Sequence, residues 1–142
     1  MTDCIFCQII CRKLPAEVVY EDNETLGILD IDPISDGHTL VLPKSDTKDI
    51  FSLNETDGGK IMSVAKKLAR VIQDEYAYDT IMLMQVNGLS QDHPHFHLHV
   101  FGRNKSNDIK IDYPTGVSKD AEYLHEVALN MQKKLQMLSP SK

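Results

Sequence analysis

Hydrophobic and polar positions along the chain follow patterns that predict five strands. Short apolar runs at 18–20 and 25–29 flank the polar stretch EDNE, which is typical of a hairpin. The segment HTLVLP, residues 38–43, and the continuous apolar run TIMLMQV, residues 80–86, each predict a buried strand. The fifth strand is HFHLHVF, residues 95–101, where polar and apolar residues alternate strictly.

Three other segments have the spacing of helices. Residues 4–11 predict a short helix, and Asn54 or Thr56 can cap a long amphipathic helix that runs to residue 76. A third amphipathic helix is predicted over about 119–138. This order of elements predicts an α+β fold. The first three strands would form an antiparallel meander within a five-stranded sheet, and the helices, among them the long helix and the C-terminal helix, would pack against one face.

Length and charge narrow the class of protein. The 142 residues suit a single domain spanning 1–142, and no internal repeat or long linker divides them. The formal net charge of −6 argues against general binding to nucleic acid or to a membrane surface. No run approaches the roughly 18 apolar residues of a membrane span. Because the first residues also lack the layout of a signal peptide, we expect a cytoplasmic protein.

The cysteines Cys4, Cys7 and Cys11 are clustered at the start of the chain. An odd, clustered count fits poorly with a disulfide framework. Cys4 and Cys7 have the spacing of half a zinc site or of a redox pair, but their thiols could equally pack as small hydrophobic groups on one face of a short helix. A zinc site would need two further ligands from elsewhere in the chain.

The alternating strand separates an apolar face from a histidine face, because successive side chains of a strand point to opposite sides. We expect the apolar face to point to the core. His95, His97 and His99 would share the opposite face, as exposed polar residues, as ligands of one metal ion, or as a nucleophile with its supporting groups. Three histidines in register make the first interpretation improbable, and spacing alone does not separate the other two. The apolar members are Phe96, Leu98 and Val100.

The motif His-x-His-x-His resembles that of the histidine triad (HIT) family of nucleotide hydrolases and transferases, of the Hint-like, adenosine phosphoramidase-like bacterial type. Gln91 and the pair Asn87-Gly88 match the family's residues upstream of the triad. The resemblance covers about 3–103 and implies a HIT-like fold and a homodimer. The stretches that also match are DCIFCQII, VVYEDNETLGILDIDP and GHTLVLPK.

The resemblance implies a role for each histidine of the motif. His97 would attack the α-phosphorus of a nucleotide and form a nucleotidyl-histidine, which water then cleaves. His99 would contact the phosphate and assist proton transfer, and His95 would orient the nucleophile. His38 matches the family's fourth, partner histidine. The expected substrates are nucleoside 5′-phosphoramidates or dinucleoside polyphosphates, and no cofactor is needed for the chemistry.

The resemblance also implies a site for a purine nucleotide. Asp30 would bind the ribose hydroxyls, Ile31 would contact the base, and Asn87 and Gln91 would bind phosphate oxygens or the leaving group. Two alternatives remain open. One is a metal-dependent hydrolase that uses the three histidines of the strand as ligands, and the other is a nucleotide-binding protein without turnover.

Some family members bind structural zinc through residues that correspond to Cys4, Cys7, His95 and position 46. Position 46 is Asp46 here, a weaker zinc ligand than the histidine of those members. Asp92 and His93 also depart from the family pattern. A carboxylate at Asp92 would repel a phosphate, so this side chain either points away or changes the preferred leaving group. No role is evident for His93.

Overall fold

The computed structural model describes residues 4–105, 116 and 118–138. Five strands form one antiparallel sheet in the order β1-β2-β3-β5-β4, which confirms the predicted α+β architecture. The first three strands form the expected meander. The strands are β1 (Val18–Glu21), β2 (Thr25–Leu29), β3 (Thr39–Pro43), β4 (Thr80–Met84) and β5 (Leu98–Arg103).

Three helices accompany the sheet: α1 (Ile5–Ile10), α2 (Glu55–Tyr76) and α3 (Ala121–Met137). Asn54 is the N-cap of α2, and its side chain accepts a hydrogen bond from the backbone N–H of Asp57 at 2.8 Å. The helix thus begins at one of the two positions that the sequence indicated.

Helices cover both faces of the sheet, and the expectation that they share one face is wrong for α1. Val41 of β3 packs in a cluster with α2, whereas its neighbours Leu40 and Leu42 pack in a second cluster with α1. All five residues of β3 are buried. The continuous apolar character of that strand therefore reflects burial on both sides. The histidine face is the face that α1 covers, because His99 pairs with Leu40.

The strand β5 begins at Leu98, three residues later than its alternating pattern predicted, and continues to Arg103. Before it, the backbone N–H of Phe96 donates to the carbonyl of Thr47 at 2.7 Å, outside the sheet. His95 and His97 therefore lie in an irregular segment that leads into the strand. The expected division of faces still holds for Phe96 and Leu98, which pack against α2.

The C-terminal helix α3 belongs to a unit of its own, residues 110–142, separate from the unit of residues 1–109. Asp120 caps it by accepting a hydrogen bond from the backbone N–H of Tyr123 at 2.8 Å. None of its described side chains is buried. Its packing against the sheet, and the unity of the domain over 1–142, stay predictions. In the part of the chain that the structure describes, no helix has the length and apolar character needed to cross a membrane.

Candidate active site

A cavity of about 570 Å³ lies between α1 and the histidine face of the sheet. Apolar side chains of α1 and of the segment after it form one wall. Polar side chains from the end of β2, from the start of β3 and from the β4–β5 segment form the other. The residues of the cavity that carry chemistry are Asp30, Asp32, His38, Asp92, His93, His97 and His99.

His97 is held in one tautomer by the backbone. Its Nδ1 lies 2.7 Å from the carbonyl oxygen of His95, which can only accept a hydrogen bond, so Nδ1 carries the proton. The lone pair is therefore on Nε2. The side chain is buried, and burial lowers the pKa of His97 below its ordinary value. A neutral imidazole with a free Nε2 is the form that can attack an electrophile.

A hydrogen bond joins His38 to His99, and the backbone determines which of the two rings donates it. The N–H of Ile34 donates to His38 Nδ1 at 3.0 Å, so the proton of a neutral His38 is on Nε2. That Nε2–H donates to His99 Nδ1 at 2.9 Å. Because His99 Nδ1 accepts this hydrogen bond, the proton of a neutral His99 is on Nε2. The ring centroids of His97 and His99 lie 5.0 Å apart, so a ring with a free lone pair neighbours a ring with an N–H donor.

Burial keeps this cluster uncharged at neutral pH. Burial, together with the neighbouring His97 and His38, lowers the pKa of His99 to about 4, and Asp30 and Asp92 act more weakly in the opposite direction. Burial lowers the pKa of His38 as well, although Asp30 acts in the opposite direction.

His95 points away from the cavity and towards the cysteines. Its Nε2 lies 2.9 Å from the carbonyl oxygen of Pro43, so Nε2 carries the proton and Nδ1 holds the lone pair. Cys7 Sγ is 3.5 Å and Cys4 Sγ 3.7 Å from that Nδ1. The residue thus serves two sites, because its ring faces the thiols and its carbonyl oxygen holds His97.

Asp30 and Ile31, the residues predicted to bind the ribose and the base, both lie at the cavity. One carboxylate oxygen of Asp30 accepts from the N–H of Asp32 at 3.0 Å, and the other lies 3.6 Å from His38 Nε2. Ile31 is 95% exposed, which leaves its whole side chain available at the cavity. An acceptor-only carboxylate beside an exposed apolar group suits a ligand with a diol and a flat ring.

The family model of the HIT domain matches residues 12–106. The chain belongs to the HIT family. A relative named as an adenosine 5′-monophosphoramidase from Saccharomyces cerevisiae is 30% identical over 115 residues, 78% of this chain and 70% of that protein. This finding confirms the family that the histidine motif indicated.

Two solved HIT structures are similar to this chain over nearly all of their length. A member of the HIT family from Bacillus subtilis has 28% sequence identity and a TM-score of 0.85, over 98% of this chain and 99% of that chain. A zinc-bound histidine triad family protein from Mycobacterium smegmatis has 29% identity and a TM-score of 0.69, over 95% and 96% of the two chains.

The cysteine cluster of this HIT protein fits a zinc ion with three of the four expected ligands. The ligand atoms of Cys4, Cys7 and His95 all lie within 4.8 Å of one another. Asp46 is not in that group. Its exposed carboxylate acts on Cys7 and His95 through its charge, and its role as fourth ligand stays a prediction. Burial raises the pKa of the Cys7 thiol to about 11, and a bound cation would reverse that shift.

Asn87 and Gln91 do not line the cavity of this HIT protein, although both were expected to bind phosphate. Asn87 Oδ1 accepts from the N–H of Ile50 at 2.8 Å, and its amide donates to Gln85. Gln91 Nε2 donates at 2.7 Å to the carbonyl oxygens of Lys48 and His93. These amides hold loops in place, and contact with phosphate would require them to exchange partners.

Several functional groups of the site were missed from the sequence. Phe6 of α1 contacts the rings of His93, His95 and His97, with centroids 5.2, 6.0 and 5.0 Å apart. Phe6 could have been found as an apolar position of the opening helix, had that helix been placed on the histidine face. The groups that fix the tautomers, the carbonyl of Pro43 and the N–H of Ile34, have no signal in the sequence, since they are backbone atoms.

Proposed function

We propose that this protein is a nucleotide hydrolase or transferase that cleaves at the α-phosphate of nucleoside phosphoramidates or dinucleoside polyphosphates, through a nucleotidyl-histidine intermediate. The observation that carries the proposal is the hydrogen bond from His97 Nδ1–H to the carbonyl of His95. It leaves the Nε2 lone pair of His97 beside the Nε2–H of His99, which provides a nucleophile and a donor for a phosphate oxygen.

The proposed reaction has two steps. In the first, His97 Nε2 forms a bond to the α-phosphorus, the bond from phosphorus to the leaving group breaks, and the leaving group takes up one proton from solvent. In the second, water attacks the phosphorus, the bond to His97 breaks, and a proton returns to solvent. The carbonyl of His95 stabilises the positive charge on the His97 ring between the steps, and His99 Nε2–H stabilises the phosphate oxygens.

The cavity supports a purine nucleotide as the ligand. We assign the ribose hydroxyls to Asp30, whose carboxylate can only accept hydrogen bonds, and one face of the base to Ile31. The relative from Saccharomyces cerevisiae, named as an adenosine 5′-monophosphoramidase, supports AMP-amide as the first substrate to test.

Replacing the nucleophile tests the proposal directly. We expect His97→Asn to lower the turnover of AMP-amide by at least about 10³-fold while AMP still binds, because the amide has no lone pair to attack phosphorus. His125→Asn changes an exposed histidine of α3 and should keep the wild-type rate. Turnover by His97→Asn at the wild-type rate would contradict the mechanism. AMP binding without turnover in the wild type would favour the nucleotide-binding alternative.

In the metal-dependent alternative, the ion would need a different set of ligands from the three histidines expected. The nitrogens of His95, His97 and His99 do not converge, since each ring is tied to a different partner. Among the described residues, the group at the cavity that could hold an ion is Asp30, His38 and His99. His38 Nε2 carries the shared proton in that arrangement, which opposes ligation. Activity that disappears with a chelator and returns with a divalent metal would favour this alternative.

A homodimer is part of the proposal. The strand β4 is at an edge of the sheet and exposes Leu83 and Met84, and α2 exposes Met62 and Val71 on its surface. An exposed edge with neighbouring apolar side chains suits pairing with a second copy. Light scattering should give the mass of a dimer, and a monomer at micromolar concentration would contradict this part of the proposal.

A further inference from the structure

The charged side chains at the cavity are all acidic. Its lining includes the carboxylates of Asp30, Asp32 and Asp92, and among the described residues that line it there is no lysine or arginine. Three of the histidines in the lining, His38, His97 and His99, add little positive charge at neutral pH, because burial lowers the pKa of each.

This distribution of charge does not suit an anionic leaving group. A polyphosphate leaving group carries several negative charges, and proteins usually meet such groups with arginine, lysine or a metal ion. Here a polyphosphate that left from the α-phosphorus would encounter carboxylates and neutral rings. A leaving group with a positive charge would instead be stabilised by the same surroundings.

Among the carboxylates of the lining, Asp92 combines two features: it has no hydrogen bond or ion pair with the other described residues, and its charge acts on the reacting histidines. Asp30 and Asp32 lie together at the end of β2, where the carboxylate of Asp30 accepts from the backbone of Asp32 and lies near His38. Asp92 reaches the cavity from the β4–β5 segment. Its negative charge acts on both His97 and His99.

We propose that Asp92 is a specificity-determining residue that selects an amine leaving group carrying a further positive charge, and disfavours anionic leaving groups. This inference rests on the proposed function and assigns its substrate class. In the first step the P–N bond breaks and the reacting nitrogen leaves as an amine with one added proton. The second, distal ammonium of the same amine is the group that the Asp92 carboxylate attracts.

Three AMP phosphoramidates of similar length test this charge preference. Their amines are 1,3-diaminopropane, butylamine and β-alanine, whose distal groups are cationic, neutral and anionic. Wild-type kcat/KM should be greatest for the cationic and lowest for the anionic substrate. Because the amines also differ in intrinsic reactivity, the deciding quantity is the cationic-to-anionic ratio of the wild type divided by that of a variant.

The variants are Asp92→Asn and a matched control, Asp74→Asn, which removes the same charge from an exposed position of α2. The cationic-to-anionic ratio should fall about tenfold in Asp92→Asn and stay within twofold of the wild type in Asp74→Asn. The difference should also shrink as salt is raised, since the interaction is partly exposed.

The outcomes separate this inference from the function beneath it. If the butylamine substrate is cleaved through His97 but the ratio is the same in the wild type and Asp92→Asn, the role of Asp92 is wrong and the proposed function stands. If Asp74→Asn lowers the ratio as much as Asp92→Asn, net charge is responsible, and the inference is again overturned. If neither these three substrates nor a dinucleoside polyphosphate is cleaved, the proposed function fails as well.

Discussion

At the scale of residues, three histidines two positions apart differ because a different backbone or side-chain partner fixes the proton on each. The carbonyl of Pro43 gives His95 a free Nδ1 for the thiols, and the carbonyl of His95 gives His97 a free Nε2 for the cavity. The hydrogen bond from His38 to His99 Nδ1 leaves the proton of His99 on Nε2, which is the reverse of the arrangement in His97. These three arrangements suit the roles that we propose for the three side chains, a ligand, a nucleophile and a donor.

Asp30 offers a prediction at the same scale. Because its carboxylate can accept two hydrogen bonds from a diol, Asp30→Asn should lower kcat/KM for AMP-amide by about tenfold. The loss should be much smaller for the 2′,3′-dideoxy analogue, which has no hydroxyls to bind. Equal losses on the two substrates would show that Asp30 acts through His38 and His99 and does not bind ribose.

At the scale of elements, the sequence predicted the strands and helices well and the covering of the sheet less well. Apolar runs identified β3 and β4, although β4 is not buried as predicted. Periodicity identified β5 and the helices, since burial on one face repeats at a fixed interval. It misplaced α1 because six residues carry too little pattern to choose a face. The apolar run of β3 did contain the missing information, because a strand buried on both sides needs a helix on each.

The same limit applies to the site. The sequence was sufficient to bring His38, His97 and His99 to one cavity, because β3 pairs with β5 and His38 and His97 immediately precede those two strands. The sequence did not predict the partners of Asn87 and Gln91. Asn87 accepts from the N–H of Ile50 and donates to the Gln85 side chain, and Gln91 donates to backbone carbonyls. Loop contacts of that kind depend on distant segments, which no local pattern describes.

The cysteine cluster offers a prediction for α1, since a zinc ion there would tie α1 to His95. We expect wild-type protein to bind zinc weakly for a structural site, because Asp46 lies outside the group of three ligands. Asp46→His should tighten binding at least about tenfold, as measured by competition with a chromophoric chelator. Cys4→Ser should abolish binding, and Cys11→Ser should leave it unchanged. Unchanged binding in Cys4→Ser would rule the site out.

At the scale of the whole molecule, the fold holds a cluster of neutral histidines at an acidic cavity, and stability should therefore depend on pH. The pKa of His99 is lowered to about 4 in the folded chain, where it faces His38, His97, Asp30 and Asp92. The unfolded chain binds a proton at this residue near its ordinary pKa of about 6.5. The contribution of the neutral His99 to the free energy of unfolding is therefore fully present above pH 6.5. It is lost as the pH falls towards 4, because the unfolded chain binds a proton there more readily than the folded chain.

Urea unfolding followed by circular dichroism measures this effect. Between pH 6.5 and 4, His99 should account for a loss of about 3 kcal/mol in the free energy of unfolding. Because carboxylates titrate in the same range, the comparison is with His99→Gln, which should lose correspondingly less stability over that interval. A variant with the same pH dependence as the wild type would show that burial of His99 does not shift its pKa in this way.

The central claim is that His97 forms a covalent bond to the α-phosphorus. The most direct measurement is mass spectrometry of peptides from a single turnover with AMP-amide, quenched in base to preserve the P–N bond. The account predicts an adenylyl group on the peptide that carries His97, formed and lost at rates consistent with turnover and absent from His97→Asn. Turnover of AMP-amide with no adduct on any histidine, and inversion at phosphorus with a substrate made chiral there by sulfur substitution, would contradict it.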